Sequence, residues 1–263
     1  MKNILLFILL FQLSAVLGQE HKWFATKIDT IHFHADQFIG YDSFGYYYYI
    51  KNNVLIKKTS SKIWQYKNLA LGKISKVDIQ NPLNIVLFYD FFNTIILLDN
   101  QLNETQKIDL SENATPILAT SIGIAFGNRL WIYNSLSQQI GLFNFLKSDY
   151  RAITTPFKDT IKQYTSDYNS FQWIDEKQNW FYCNIYGNIT PLGKVPDYDK
   201  IQIVSHSDLL YTKDNSLYYF TLIGNKSTLI DLDKKTFKKF YYKDQILTIF
   251  TDEGITNYKI NKP

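Results

Sequence analysis

Cysteine is almost missing from this 263-residue chain: Cys183 stands alone, so no internal disulfide is possible. A chain this long buries enough apolar surface to hold without one. Cys183 lies in the apolar string Trp180-Phe181-Tyr182-Cys183, where a thiol serves as a small apolar side chain. Glycine and proline are scarce, while Lys, Asn, Ile, Tyr and Phe are abundant, a bias that partly reflects an AT-rich genome. A second long apolar run is also missing, which leaves no stretch able to span a bilayer as a helix. The net charge is only +4, without the concentrated basic face that marks a dedicated nucleic-acid binder. There is no Gly-rich phosphate loop, no Gly-x-Ser-x-Gly elbow, no His-Glu-x-x-His, no Cys-x-x-Cys and no calcium loop. No convincing amphipathic helix is present either.

What is present begins with a targeting signal. Lys2 supplies the positive start, Ile4 to Leu13 the apolar run, and Val16-Leu17-Gly18 a tolerated cleavage site. Residues 1–18 are therefore expected to be removed, leaving 19–263 as a single exported domain of the periplasm or cell surface. No cysteine follows the cleavage site, so a lipid-anchored form is not expected. Four Asn-x-Ser/Thr sequons, at Asn103, Asn113, Asn188 and Asn225, are a chance outcome in an Asn-rich bacterial chain.

Downstream, short apolar strands follow tight-turn signals. Asn52-Asn53 precedes "VLIKK", Gly127-Asn128 "RLWIY", Gln178-Asn179 "WFYCN", Asp214-Asn215 "SLYYF" and Glu253-Gly254 "ITNYKI". "DFFNTIILLDN" from Asp90 fits the same slot less cleanly. Asn and Gly tolerate the positive φ that two-residue hairpins need. A second phrase recurs as "KID" at Lys27 and Lys107 and "LID" at Leu229. Spacings of ~35 to ~50 residues are those of propeller blades, and ~40 residues per blade predicts a β-propeller of six four-stranded blades. The last hairpins run out before a fourth strand, so the N-terminal segment "KWFATKIDT" is expected to supply it and close the ring.

The run "GYYYYI", Gly45 to Ile50, does not alternate apolar with polar. A strand between two neighbouring blades has both faces buried, and tyrosine fits there with its large ring and polar tip. "NIVLFYDFF" and "SLYYF" share this character, whereas "KKTSSK" and "DLDKKTFKK" look like solvated outer strands. The segment Asp78 to Leu110, with Asn81-Pro82-Leu83 leading in and the Leu98-Asp99-Asn100 turn, resembles a blade of uncharacterised exported propeller-like proteins of Bacteroidota. That resemblance implies a propeller and an envelope location, but no activity.

Candidate chemistry is thin. His32, His34 and Asp36 would share one face of a strand and offer two imidazoles and a carboxylate to a metal, although a solvated surface turn is the plainer account and no metal is expected. Asp175-Glu176, Asp208 with Asp214, Asp231 with Asp233 and Asp252-Glu253 are carboxylate pairs at turn-like positions. Lys234, Lys235, Lys238 and Lys239 interleave with aromatics and would suit phosphate or lipid head groups, or protect an outer edge. The sequence thus points to a non-catalytic interaction module without cofactor, with protein partners in an outer-membrane complex for assembly, export or transport. Two alternatives stand beside it. One is a lectin using Trp23, Trp64, Trp131, Trp173 and Trp180 as stacking platforms; the other is a propeller hydrolase or lyase, recognisable by carboxylates from different blades meeting at the central pore.

Overall fold

The computed structural model of the protein describes residues 23–158, 160–232 and 237–261. The expected signal segment 1–18 and the candidate lysines Lys234 and Lys235 lie outside the described residues. The described chain is all-β apart from one 3-10 turn at Leu110–Glu112. Its strands follow one another as antiparallel meanders of four. The first comprises β2 (Gln37–Tyr41), β3 (Tyr47–Lys51), β4 (Val54–Lys58) and β5 (Ile63–Tyr66). The second comprises β6 (Lys76–Asp78), β7 (Ile85–Tyr89), β8 (Thr94–Leu98) and β9 (Glu104–Asp109). The third is β10 (Ala119–Ala125), β11 (Arg129–Asn134), β12 (Gln139–Asn144) and β13 (Asp149–Ala152). The fourth is β14 (Ile161–Ser166), β15 (Ser170–Asp175), β16 (Asn179–Asn184) and β17 (Ile189–Lys194).

The remaining strands depart from the six separate blades expected. β18 (Lys200–Ile203), β19 (Asp208–Lys213), β20 (Ser216–Thr221) and β21 (Lys226–Asp231) share one eight-stranded sheet with β22 (Lys239–Lys243), β23 (Ile246–Thr251), β24 (Gly254–Asn261) and β1 (Trp23–His32). Four separate blades are therefore present beside one continuous sheet, in a propeller-like arrangement. The physical cause lies in β1. It runs antiparallel along β24 from Phe24↔Asn261 to His32↔Gly254, and its first two residues also pair in parallel with Ile230 and Asp231 of β21.

The β1–β24 seam joins the start of the described chain to its end. Side chains reinforce the ladder: Asn257 Nδ2 donates to Asp29 Oδ1 at 2.7 Å, Asn261 Nδ2 donates to Thr26 Oγ1 at 2.8 Å, and the Thr30 and Thr256 hydroxyls lie 3.2 Å apart. A register shift between Lys27 and Asp29 leaves Ile28 as the extra residue, and its side chain is exposed.

Turn chemistry explains where the strands reverse. Asn52 and Asn53 (φ 49° and 60°), Gly127 and Asn128 (72° and 58°) and Asp214 and Asn215 (50° and 60°) place paired positive φ values at hairpin tips. Gly127-Asn128, however, joins the first and second strands of its meander, whereas the Asn52 and Asp214 pairs join the second and third. The "KID" of Lys27, the "KID" of Lys107 and the "LID" of Leu229 fall on β1, β9 and β21, each the last strand of its four.

Apolar clusters fill the spaces between successive meanders. Tyr48 and Ile50 of β3 pack with Leu87 and Tyr89 of β7, while Tyr47 and Tyr49 turn the opposite way against Phe250 and Ile255. Both faces of the tyrosine strand are thus covered, as its lack of alternation implies. Fully burying a side chain of this size stabilises by about 1.5–3 kcal/mol. Beside Tyr48 lies a buried lysine that the sequence did not flag. Lys57 Nζ sits 4.4 Å from the Tyr46 ring centroid, donates to Asn100 O at 2.9 Å and lies 3.7 Å from Asp42 Oδ2. Burial pulls its pKa down, and Asp42 opposes that pull. Asp42 is itself held by the backbone N–H groups of Phe44 and Tyr46 and by the Tyr48 hydroxyl at 2.8 Å. A buried cation without such partners would be strongly destabilising.

The seam gives a direct test. Gly254 has φ +128°, and a Cβ there would stand 2.1 Å from Ile31 O, whereas Gly45 at φ +81° has nothing within 4 Å. Gly254→Ala is expected to cost about 3 kcal/mol and Gly45→Ala about 1 kcal/mol in urea unfolding. Equal losses would show that the seam does not depend on this close approach.

Candidate functional site: the axial channel

The first strand of each meander, β2, β6, β10, β14, β18 and β22, borders a central channel. These strands approach one another closely. A Cβ on Gly123 of β10 would stand 1.9 Å from Ser166 Oγ and 3.2 Å from Asp78 Oδ2, so only glycine fits there. Ile39, Lys76, Tyr164, Thr165, Gln202 and Tyr241 line cavities that open toward both ends of the channel. At this waist the Tyr164 hydroxyl accepts from Ile122 N at 3.1 Å, and Gln202 bonds Tyr242 through both its amide groups, at 2.7 and 2.8 Å.

One end is a polar mouth of about 480 Å³, bordered by Tyr41, Asp78, Ser166, Asp167, His206 and Lys243 among others. Asp78 and Asp167 come from different meanders, yet each is occupied by backbone. Asp78 accepts from Gln80 N and Ile124 N, both at 2.9 Å, and Asp167 accepts from Asn169 N and Ser170 N at 2.8 and 2.7 Å. His206 is exposed, with its ring edge-on to Tyr182 at 4.6 Å. Tyr41 accepts from Asn257 Nδ2 at 2.9 Å, and burial pushes its phenol up to about 12, so it stays a proton donor at neutral pH.

The other end, about 590 Å³, is lined by Lys76, Lys162, Lys200, Lys239, Tyr198, Asp199 and Tyr241 among others. Lys239 Nζ donates to Phe38 O at 3.0 Å. Burial, and after it the nearby Lys76 charge, brings its pKa down to about 8.

Of the sequence candidates, Lys239 is the one brought into the channel. Lys238 is exposed and ion-paired with Asp252. His32, His34 and Asp36 are exposed. His34 Nδ1 is 3.0 Å from Asp252 O, and Asp36 accepts from Asn52 N at 2.6 Å. Among the described residues no three His, Cys, Asp or Glu side chains come together as a metal site. Asp175 caps its own turn through Lys177 N and Asn179 N, and Asp208 accepts from the Ser205 and Ser207 hydroxyls. Trp131, Trp173 and Trp180 are buried; Trp23 and Trp64 are half-buried against Tyr219 and Tyr46. Cys183 is buried, and burial pushes its thiol up to about 12.

Sequence reasoning missed His206, Lys243, Lys76, Lys162 and Lys200. A signal for the lysines did exist. Lys76, Lys200 and Lys239 open β6, β18 and β22, and Lys162 is the second residue of β14. Aligning the meanders by their first strands would have exposed the repeat.

No protein-family model matches the sequence, and no curated protein sequence does either. Solved structures do match. Virginiamycin B lyase from Staphylococcus aureus is similar at 14% identity and a TM-score of 0.57, over 84% of this chain and 79% of that one. A streptogramin B lyase structure matches at 12% identity and a TM-score of 0.57, over 92% and 99%. The extracellular domain of a one-component system from B. thetaiotaomicron matches at 14% identity and a TM-score of 0.51, over 88% of this chain and 40% of that longer one.

The likeness is one of fold. It nonetheless corrects the expectation that the chain is not an enzyme, because lyases stand among the structures it resembles. Missing motifs carry little weight at a channel, where side chains arrive singly from separate strands and leave no local signature. No helix among the described residues is long and apolar enough to cross a membrane.

The charge arrangement at the lysine end is measurable. In lysine-detected NMR, Lys239 is expected to titrate with a midpoint of about 8, its ammonium giving way to the neutral amine as pH rises. Lys76→Met should move that midpoint upward by removing a like charge. An unmoved midpoint would separate the two groups.

Proposed function

We propose that the chain is an exported propeller lyase that takes a small molecule at the Asp78–His206 mouth of its channel. The observation that carries this reading is the mouth itself, a cavity of about 480 Å³ bordered by His206 of the β18–β19 turn, Lys243 of β22 and Tyr41 of β2. A lyase of the eliminating kind needs a base for a proton next to a carbonyl and a donor for the oxygen that gains charge. His206 is placed for the first role, and Lys243 for the second, with the Tyr41 hydroxyl held by Asn257 beside it. A two-carboxylate hydrolase is less well supported, since backbone N–H groups already occupy Asp78 and Asp167. In this reading the eight-stranded sheet acts as two wedges, giving a six-bladed ring closed by β1. The parallel bridge of only two residue pairs between β1 and β21 supports treating them as separate bodies. The apolar run Ile4 to Leu13 supports export.

One of the similar structures is a catalytically inactive virginiamycin B lyase with quinupristin, which makes quinupristin and virginiamycin B the first panel. The expected result is consumption of a panel member with formation of a new C=C bond, seen by mass spectrometry. His206→Ala should lower kcat by about 10²-fold or more with Tm unchanged. Full turnover in His206→Ala, or no consumption across the panel, would overturn the reading.

A protein-contact role in an envelope complex has its own support. Phe91 and Phe92, 86% and 43% exposed, form an edge-to-face pair 5.1 Å apart at the β7–β8 turn. Leu69, 78% exposed, belongs to the linker that leads to Gly72, beside Phe92. Exposed apolar surface of this kind marks contact sites. Phe91→Ser with Phe92→Ser should abolish a cross-link formed by the wild-type chain in intact cells and leave Tm within about 1 °C. A cross-link that survives both changes removes this surface from consideration.

A further inference from the structure

We infer that the lysine end of the channel is a binding site for a small organic anion bearing carboxylate or phosphate groups. This inference stands apart from the chemistry proposed at the other mouth. Four ammonium groups, from Lys76, Lys162, Lys200 and Lys239 on four different first strands, line one cavity of about 590 Å³. The lysines stand at or next to the start of the first strand in four of the six meanders, which makes the cluster a feature of the ring rather than of one loop.

Most of what meets the ammonium groups is neutral, although the Lys162 charge also acts on Asp197. Lys76 Nζ lies 4.5 Å from the Tyr164 ring centroid and Lys162 Nζ 4.7 Å from that of Tyr198. Lys200 donates to Phe237 O and Lys238 O at 3.3 and 2.7 Å, and Lys239 to Phe38 O. Asp199, the carboxylate of the cavity wall, accepts from Asp214 N at 3.1 Å, and neighbouring Asp197 is engaged by Lys213. Like charges held together in a partly desolvated space repel, and an anion that receives their remaining N–H donors relieves the repulsion.

The shared chemistry covers free metabolite-sized anions and lipid head groups, and the lining favours the former. The lysines stand on the inner strands of a concave cavity, Lys76 and Lys239 partly buried and Lys162 and Lys200 exposed at its rim, rather than on a flat surface.

The test is calorimetric titration of the full exported chain with citrate, pyrophosphate and inorganic phosphate, alongside sedimentation with phosphatidylcholine vesicles with and without phosphatidylglycerol. The expected result is saturable binding of citrate or pyrophosphate with one site per chain, weakened about tenfold or more in Lys239→Met and in Lys76→Met. The same anion should raise Tm in the wild-type chain and far less in Lys239→Met. Both variants lose a like charge and keep the apolar stem, so they are expected to fold. His206→Ala should bind the anion as the wild type does, which keeps this outcome separate from that of the lyase reading. Absence of saturable binding by all three anions, equal binding in the lysine variants, or binding to anionic vesicles alone would each overturn the inference.

Discussion

The antiparallel seam between β1 and β24 is the constraint on which the rest depends. A ring of sheets built from one chain has two free ends, and each unpaired edge exposes a row of backbone donors and acceptors. Pairing residues 24 to 32 with residues 254 to 261 satisfies those groups with the chain's own backbone. The same pairing seats Phe33 against Tyr49 and Phe250, so the first meander packs on the last. With this contact made, every meander has a neighbour on both sides and the core is continuous around the axis.

The channel follows from that closure. Second and third strands lie between neighbouring meanders and are buried on both faces, as in "IVLFY" of β7 and "TIILL" of β8. First strands face the axis, close together where Gly123 meets Ser166 and opening into a polar cavity at either end. Polar groups there are neither fully solvated nor fully paired. Lys57 shows how the protein treats a cation that has no ligand to meet: aromatic faces, a carbonyl and Asp42 surround it completely. Among the described residues Lys76, Lys200 and Lys239 have no carboxylate at ion-pair distance, and that contrast separates them from Lys57.

Much of the architecture was legible locally. Paired positive φ at Asn52-Asn53 and Asp214-Asn215 is a property of Asn and Asp side chains, readable without a fold. The tyrosine strand's lack of alternation reported correctly that both its faces are covered. The placement of Lys27, Lys107 and Leu229 on last strands followed from a repeated phrase. The register failed at Gly127-Asn128, because a tight turn signals a reversal but not which reversal of the four-strand cycle it is. The separate-blade count failed at β21, because a short parallel bridge to β1 depends on where the closing ribbon begins, a property of the assembled ring.

By itself the sequence determined the strands, their reversals and which of them are covered on two faces, since these depend on side-chain size, polarity and φ preference within a few residues. Tertiary structure alone decided the chemistry. Lys76, Lys162, Lys200 and Lys239 are far apart along the chain and unremarkable in their local settings, and only the closing of the ring carries them to one cavity. The acidic pairs that looked reactive in the sequence are held by their own turns, as Asp175 and Asp208 show. A side chain's partners in solvent or in a turn are set by its neighbours in sequence; its partners across an axis are set by how the sheets are arranged around it.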